Sequence, residues 1–158
     1  MSTRIDYTKV APDGIKALYG LERYVRNSSL ESSLIELVKL RASYMNGCAY
    51  CVDMHSKDAR AAGETEQRIY GIPVWHETPY FTPRERAALA WTEAVTDVGR
   101  TGVPDQVFEE VQRHFTEQEI VDLTFAVVTI NGWNRLAVSL RAEPGTYQRP
   151  AAAANRPA

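Results

Sequence analysis

The chain is short of most features that assign a protein to a class at a glance. It has only two cysteines in 158 residues, too few for the disulfide framework of a small secreted domain. It has no surplus of positive charge: the formal net charge is -2, which leaves no basic field to draw nucleic acid or anionic lipid. The opening residues, MSTRIDYTKVAPDG, lack the apolar centre of a secretory signal, and no apolar run approaches membrane-spanning length. No internal repeat and no shift in composition marks a boundary between domains. These absences set an expectation of one cytoplasmic domain without nucleic-acid or membrane partners. A composition 44% hydrophobic and 24% charged is ordinary for such a domain, and this length supports one core more comfortably than two.

What is there is helical periodicity. Over 29–45 (SLESSLIELVKLRASYM), Leu30, Leu34, Leu37, Val38 and Met45 recur at the spacing of a buried helical stripe. Asn46-Gly47 breaks the pattern, and a second helix is predicted over 48–62, closed by Gly63 as a left-handed cap. Thr82-Pro83-Arg84-Glu85 is a capping box with proline at the first helical position. A shorter helix is predicted over 105–114. Thr116-Glu117-Gln118-Glu119 is a second capping box, opening a helix that runs to about residue 141. That last helix contains the β-branched cluster Val127, Val128, Thr129 and Ile130, yet its cap and length favour helix over strand. It is apolar on most of its circumference, so it needs burial, and self-association would supply it. The fold class is therefore all-α. The domain is assigned to 1–145 and the remainder, 146–158 with its PAAAANRPA ending, to a disordered tail.

Both cysteines fall in the stretch NGCAYCVDMHSKDA, at the predicted start of the second helix. Free N–H groups and the positive end of the helix dipole favour thiolate there. Cys48 and Cys51 lie three residues apart on one face, close enough to form a disulfide without rearranging the helix. His55 follows Cys51 by four residues and sits one turn further down the same face, where an imidazole can stabilise the thiolate or relay a proton. The spacing thus gives Cys51 the adjacent base and makes Cys48 the resolving partner. Three other readings stand beside this one. The cysteines can be inert core residues; they can form the switch of a non-enzymatic redox sensor or disulfide-exchange protein; or Cys48, Cys51 and His55 can bind a metal as a Cys2His set, although no second CxxC supplies further ligands.

Glu36 becomes relevant through the Asn46-Gly47 break. Along one straight helix it would lie about 18 Å from Cys48. If the chain reverses at the break, antiparallel helices bring Glu36 and His55 to within roughly 3 Å of the same level. A carboxylate at that place orients the imidazole and takes up its proton. The opposing reading is a solvated glutamate on a helix that also carries Glu31, Lys39 and Arg41.

At these residues the sequence resembles the alkylhydroperoxidase D-like branch of the carboxymuconolactone decarboxylase family, in which a glutamate, eleven residues, CxxC, three residues and a histidine follow one another. Here these are Glu36, LVKLRASYMNG, Cys48-Ala49-Tyr50-Cys51, VDM and His55. TPRERAALAWTEAVT and TINGWNRLAVSLR also look familial, so the resemblance covers most of the chain. It implies a helical bundle assembling as a homotrimer or homohexamer. It implies a thiol peroxidase that reduces hydroperoxides without metal, flavin or other cofactor, in antioxidant defence, and that is recharged by an external dithiol such as a lipoyl-bearing protein. By this resemblance Cys51 is the peroxidatic cysteine, Cys48 the resolving one, and Glu36 and His55 the proton relay. One position departs: the branch's characterised peroxidases carry a second relay histidine where this chain has Tyr50, a phenol that carries protons poorly at neutral pH.

Overall fold

A computed structural model describes residues 2–149. Nine α-helices and one 3-10 turn, and no strand, are found among the described residues: α1 (Tyr7–Val10), α2 (Pro12–Arg26), α3 (Ser32–Met45), α4 (Ala49–Ala61), α5 (Glu66–Gly71), the 3-10 turn (Ile72–Glu77), α6 (Pro83–Thr96), α7 (Val98–Thr101), α8 (Asp105–His114) and α9 (Glu117–Leu140). None of these helices is long and apolar enough to cross a membrane.

Both predicted capping boxes form. Thr82 accepts from the Glu85 N–H while Glu85 reaches back to the Thr82 N–H, and Thr116 and Glu119 repeat the arrangement at the start of α9. Two orphan donors are satisfied at each helix start, which is why these two boundaries could be read from four letters each. Gly63 closes α4 as expected, with φ at +99° and its neighbour Glu64 bonding back to the Ala59 carbonyl. The helix expected from residue 29 begins instead at Ser32, after an extended Glu31. Helix α2 was not among the predicted helices.

Helix α3 is the axle of the bundle, packed against α4, α6 and α9. Its residues from Leu34 to Leu40 are all buried, as are Ala42 and Ser43. From Leu34 to Leu40 the predicted stripe is thus a helix enclosed on every side, whereas Met45 at its end is exposed. Glu36, Lys39 and Ser43 lie inside with the leucines, and Lys39 is fully buried. A buried charge or hydroxyl is tolerated only with a partner, and each of the three has one: His55, Glu22 and Asn134 respectively. These three pairs tie α3 to α4, α2 and α9 in turn.

The tail expected from 146 onward is in part ordered onto the domain. The Tyr147 hydroxyl donates to Asp58 at 2.9 Å, and the Tyr147 carbonyl accepts from Lys57 at 3.1 Å. The PAAAANRPA ending lies outside the described residues.

Candidate active site

The site is built at the turn between α3 and α4. After Met45 the chain needs a sharp reversal, and Gly47 provides it at φ +64°, where a side chain would be strained. The Gly47 N–H bonds to the Tyr44 carbonyl and the Cys48 N–H to the Ser43 carbonyl, which satisfies the last turn of α3. Asn46 pins the turn to α9 through hydrogen bonds to the side chains of Asn131 and Asn134. The helices then run back against each other, and the expected meeting of Glu36 with His55 takes place: Glu36 Oε2 lies 2.8 Å from His55 Nδ1, both groups buried.

Cys48 does not lie in the first turn of α4; it is the residue that caps it. Its sulfur accepts the Cys51 N–H at 3.3 Å, in the place usually taken by a serine or aspartate oxygen. This decides where the charge of the reduced pair sits. A hydrogen bond from Cys51, aided by the helix N–H groups of Cys51 and Tyr50 and by Asn134, draws the Cys48 thiol down to about 7 against the opposing effect of burial. Cys51, facing that thiolate and itself buried, is held above its ordinary value. The spacing places His55 beside Cys51, while the capping position lets the Cys48 sulfur see the helix N–H groups directly, which favours thiolate there. Both thiols are free and almost fully buried. Among the described residues no hydrogen bond joins His55 to either sulfur.

Burial by itself would raise the Glu36 carboxyl. The hydrogen bond with His55 and the nearby charges of His55, Lys39 and Arg26 outweigh it and hold the group below the usual carboxylate range. Arg26 stands 3.8 Å from the other Glu36 oxygen and 2.8 Å from Glu22. Glu22 in turn holds the buried Lys39. Behind the imidazole there is thus an alternating set of charges, Glu36, Arg26, Glu22 and Lys39.

Cys51, His55 and Tyr50 open onto a cavity of about 490 Å³ between α2 and α4, walled also by Tyr19, Trp133 and Met54. The ring centroids of Tyr19 and Trp133 lie 5.1 Å apart. Cys48 opens to the other side of α4, onto a cleft between the turn and the end of α9, and Tyr50 lines both spaces. Burial raises the Tyr50 phenol above its ordinary value, so it stays protonated and donates hydrogen bonds without ferrying protons near neutrality.

Of the expected site residues, Glu36 and His55 are joined, Cys48 and Cys51 are adjacent, and Cys51 and His55 share a cavity. Sequence reasoning passed over Glu22, Arg26, Asp58 and Asn134, and it gave Lys39 no role. Signals existed for two of them. Lys39 is flanked by Val38 and Leu40 and lies three residues after Glu36; Asp58 lies three residues after His55, hence on its face. The side-chain donors of Glu36, His55 and Asp58 come within 4.8 Å of one another. Among the described residues the thiols are not part of that group. Arg26 beside Glu36 also opposes a cation there.

Comparison with known proteins agrees with this geometry. The carboxymuconolactone decarboxylase family model matches residues 11–94, more than half of the chain. The chain belongs to the carboxymuconolactone decarboxylase family. This family member is 43% identical over 140 residues to the uncharacterized protein YdfG of Bacillus subtilis, a match covering 89% of the chain and 95% of the relative. Its fold superposes with a TM-score of 0.90 and 49% identity on a protein of unknown function from Agrobacterium tumefaciens, suggested to be the antioxidant defence protein AhpD; the match covers 92% of this chain and all of that one. It therefore sits with the alkylhydroperoxidase D-like branch. The debrominase Bmp8 shares the fold at a TM-score of 0.79 and 18% identity, over 88% of this chain and 75% of its own. Bmp8 has also been solved, as a variant, with 2,3,4-tribromopyrrole.

Proposed function

We propose that this protein is a thiol-dependent peroxidase that reduces ROOH to ROH through a dithiol–disulfide cycle of Cys48 and Cys51. The observation that carries the reading is the pairing of Cys51 with a carboxylate-bound imidazole, His55, on one substrate-sized cavity, with a second, thiolate-prone cysteine directly behind it. The Cys51 sulfur attacks one peroxide oxygen and passes its proton to the Cys48 thiolate. The O–O bond breaks, an S–O bond forms, and the departing alkoxide takes a proton from His55, giving ROH and a Cys51 sulfenic acid. Cys48 then attacks Cys51; the S–S bond forms and hydroxide leaves, protonated as water. Two electrons and two protons from an external dithiol restore the pair by thiol–disulfide exchange, and a lipoyl-bearing protein is the class of donor that the family resemblance suggests. With Nδ1 held by Glu36, Nε2 is the nitrogen left to give and regain the proton.

The test is peroxide consumption with a dithiol donor. Cys51→Ser is expected to abolish turnover, and unchanged activity would sink the assignment. Cys48→Ser is expected to allow one stoichiometric reaction and no cycling; the opposite pair of results would exchange the two roles. A sensor without catalysis would consume no peroxide beyond stoichiometry. Assembly as a homotrimer or homohexamer belongs to the same proposal and is supported by the apolar residues Val121, Phe125 and Val128, which α9 leaves exposed. So does a cytoplasmic location, where a reducing milieu keeps such a pair cycling.

A second reading rests on the aromatic wall of the cavity together with the shared fold of Bmp8. The same dithiol would replace a ring bromine by hydrogen, with release of bromide and a proton and formation of the Cys48–Cys51 disulfide. Bromide release from 2,3,4-tribromopyrrole in the presence of a dithiol separates this reading from the first.

A further inference from the structure

Around the cavity over Cys51, one lining cation is left without a carboxylate of its own. Glu22 is held by Lys39 and Arg26. Asp58 accepts from the Tyr147 hydroxyl at 2.9 Å and faces Arg149 at 3.9 Å. Glu36, just behind His55, is held by the imidazole and by Arg26. Every carboxylate around the space thus has a cation at hand. Arg23 lines the same space. It is exposed, and among the described residues its side chain enters no ion pair or hydrogen bond. A guanidinium left over beside a cavity is a fork for a carboxylate.

The rest of the wall is aromatic and apolar, with Tyr7, Tyr19, Trp133, Met54 and Ala137 the main contributors. Burial pushes the Tyr7 phenol up to about 12, so its hydroxyl meets a ligand as a neutral donor. At about 490 Å³ the cavity is in the ordinary range for ligands of drug-like size. Hydrogen peroxide or a short alkyl hydroperoxide would leave most of that wall uncovered.

We infer that the cavity selects an amphipathic organic acid: an apolar or aromatic body against the aromatic wall, a carboxylate on Arg23, and the reactive group at Cys51 and His55. The reactive end rests on the peroxidase reading, which makes the substrate a carboxylated organic hydroperoxide; the carboxylate end does not depend on it. A charge-assisted pair at a solvent-exposed rim supports a preference of about tenfold for the acid over a neutral analogue.

Two measurements test this, and they fail separately. In calorimetric titrations, 4-phenylbutyrate is expected to bind about tenfold more tightly than the neutral 4-phenylbutanamide. Arg23→Gln should level the two, and Arg23→Lys should restore part of the difference. Because Arg23 is exposed, these variants are expected to fold, and circular dichroism checks that they do. In kinetics, kcat/KM for a fatty-acid hydroperoxide should exceed that for its methyl ester by a similar factor, through KM, and Arg23→Gln should remove the excess. Equal binding of acid and amide by the unmodified protein, or a preference that survives Arg23→Gln, overturns the inference. An Arg23-dependent preference with no peroxide consumption sustains the carboxylate site and removes the peroxidase reading. Turnover that is indifferent to the carboxylate does the reverse.

Discussion

Helices α3 and α9 exchange the characters their sequences suggest. SSLIELVKLRASYM, with a glutamate, a lysine, an arginine and three serines among its first twelve residues, reads as a helix with one apolar stripe. Helix α9 reads as apolar nearly all round. In the fold it is α3 that is enclosed on every side, and α9 that keeps an exposed row, Val121, Phe125 and Val128. The difference lies in what surrounds each. Past its first turn, helix α3 sits between α4, α6 and α9, so its polar positions Glu36, Lys39 and Ser43 face protein, and each must be matched. Helix α9 packs on α2, α3, α4, α6 and α8, yet Val121 and Val128 on its outer side stay about half exposed among the described residues. The contrast teaches that polar letters on an axial helix mark partnerships, whereas apolar letters on an outward face mark surface left for something else.

The most damaging way to break the contrast is to remove a partnership on α3. Lys39→Ala leaves Glu22, only 13% exposed, without its buried cation. Removing one member of a buried pair costs about 3–5 kcal/mol, and urea unfolding measures it. Replacing both members by apolar groups of similar volume, Lys39→Met with Glu22→Leu, is expected to recover most of that loss, because no charge is then stranded. A loss below 1 kcal/mol in the single variant would show that Lys39 reaches water and that α3 is not sealed.

Asn134 is the next test, since it joins the two helices at the site. Its amide donates to Ser43 at 3.0 Å, accepts from Asn46 at 2.9 Å, and supports the Cys48 sulfur. Asn134→Leu strands the fully buried Ser43 hydroxyl and frees the turn, which costs about 2 kcal/mol. Unlike a loss of packing alone, it should also raise the pH at which Cys48 reacts. In the unmodified reduced protein, alkylation by iodoacetamide is expected to be half-maximal near pH 7, since the thiolate fraction grows as pH rises through the Cys48 value of about 7. Cys51→Ala removes the leading cause of that depression and should carry the midpoint up toward the ordinary cysteine value of about 8.5.

How much of this was legible follows the same division. Local rules were enough for both capping boxes and for the reversal at Asn46-Gly47, because each is a statement about a few residues; they left the Glu36–His55 pair open beside a solvated glutamate, and the family resemblance favoured the pair. The burial of Lys39 was not legible because its partner, Glu22, lies on α2, seventeen residues earlier, and no local rule links them. That Cys48 caps α4 was missed by a single position: a cysteine inside the first turn and a cysteine capping it differ by one residue in sequence, yet only the cap's sulfur takes the N–H. The cavity, assembled from α1, α2, α4, α9 and the segment after α9, was beyond any pattern within one helix.

The smallest effect on the fold itself is expected on the exposed row of α9. Val128 is 49% exposed, so Val128→Asp removes little buried apolar area within the chain and should alter the intrinsic folding free energy by no more than about 0.5 kcal/mol. Its consequence lies between chains. If copies of this protein cover the row formed by Val121, Phe125 and Val128, the charge is desolvated at their contact and the assembly loosens. Light scattering should then report a smaller particle. The thermal midpoint of the unmodified protein should rise with protein concentration, as mass action requires of an oligomer, while that of the variant should not. A midpoint independent of concentration in both proteins, with unchanged mass, would mean that the row is ordinary surface and that α9 needs no partner. That outcome would leave the chemistry at Cys51 untouched, because the cavity is walled by residues of one chain.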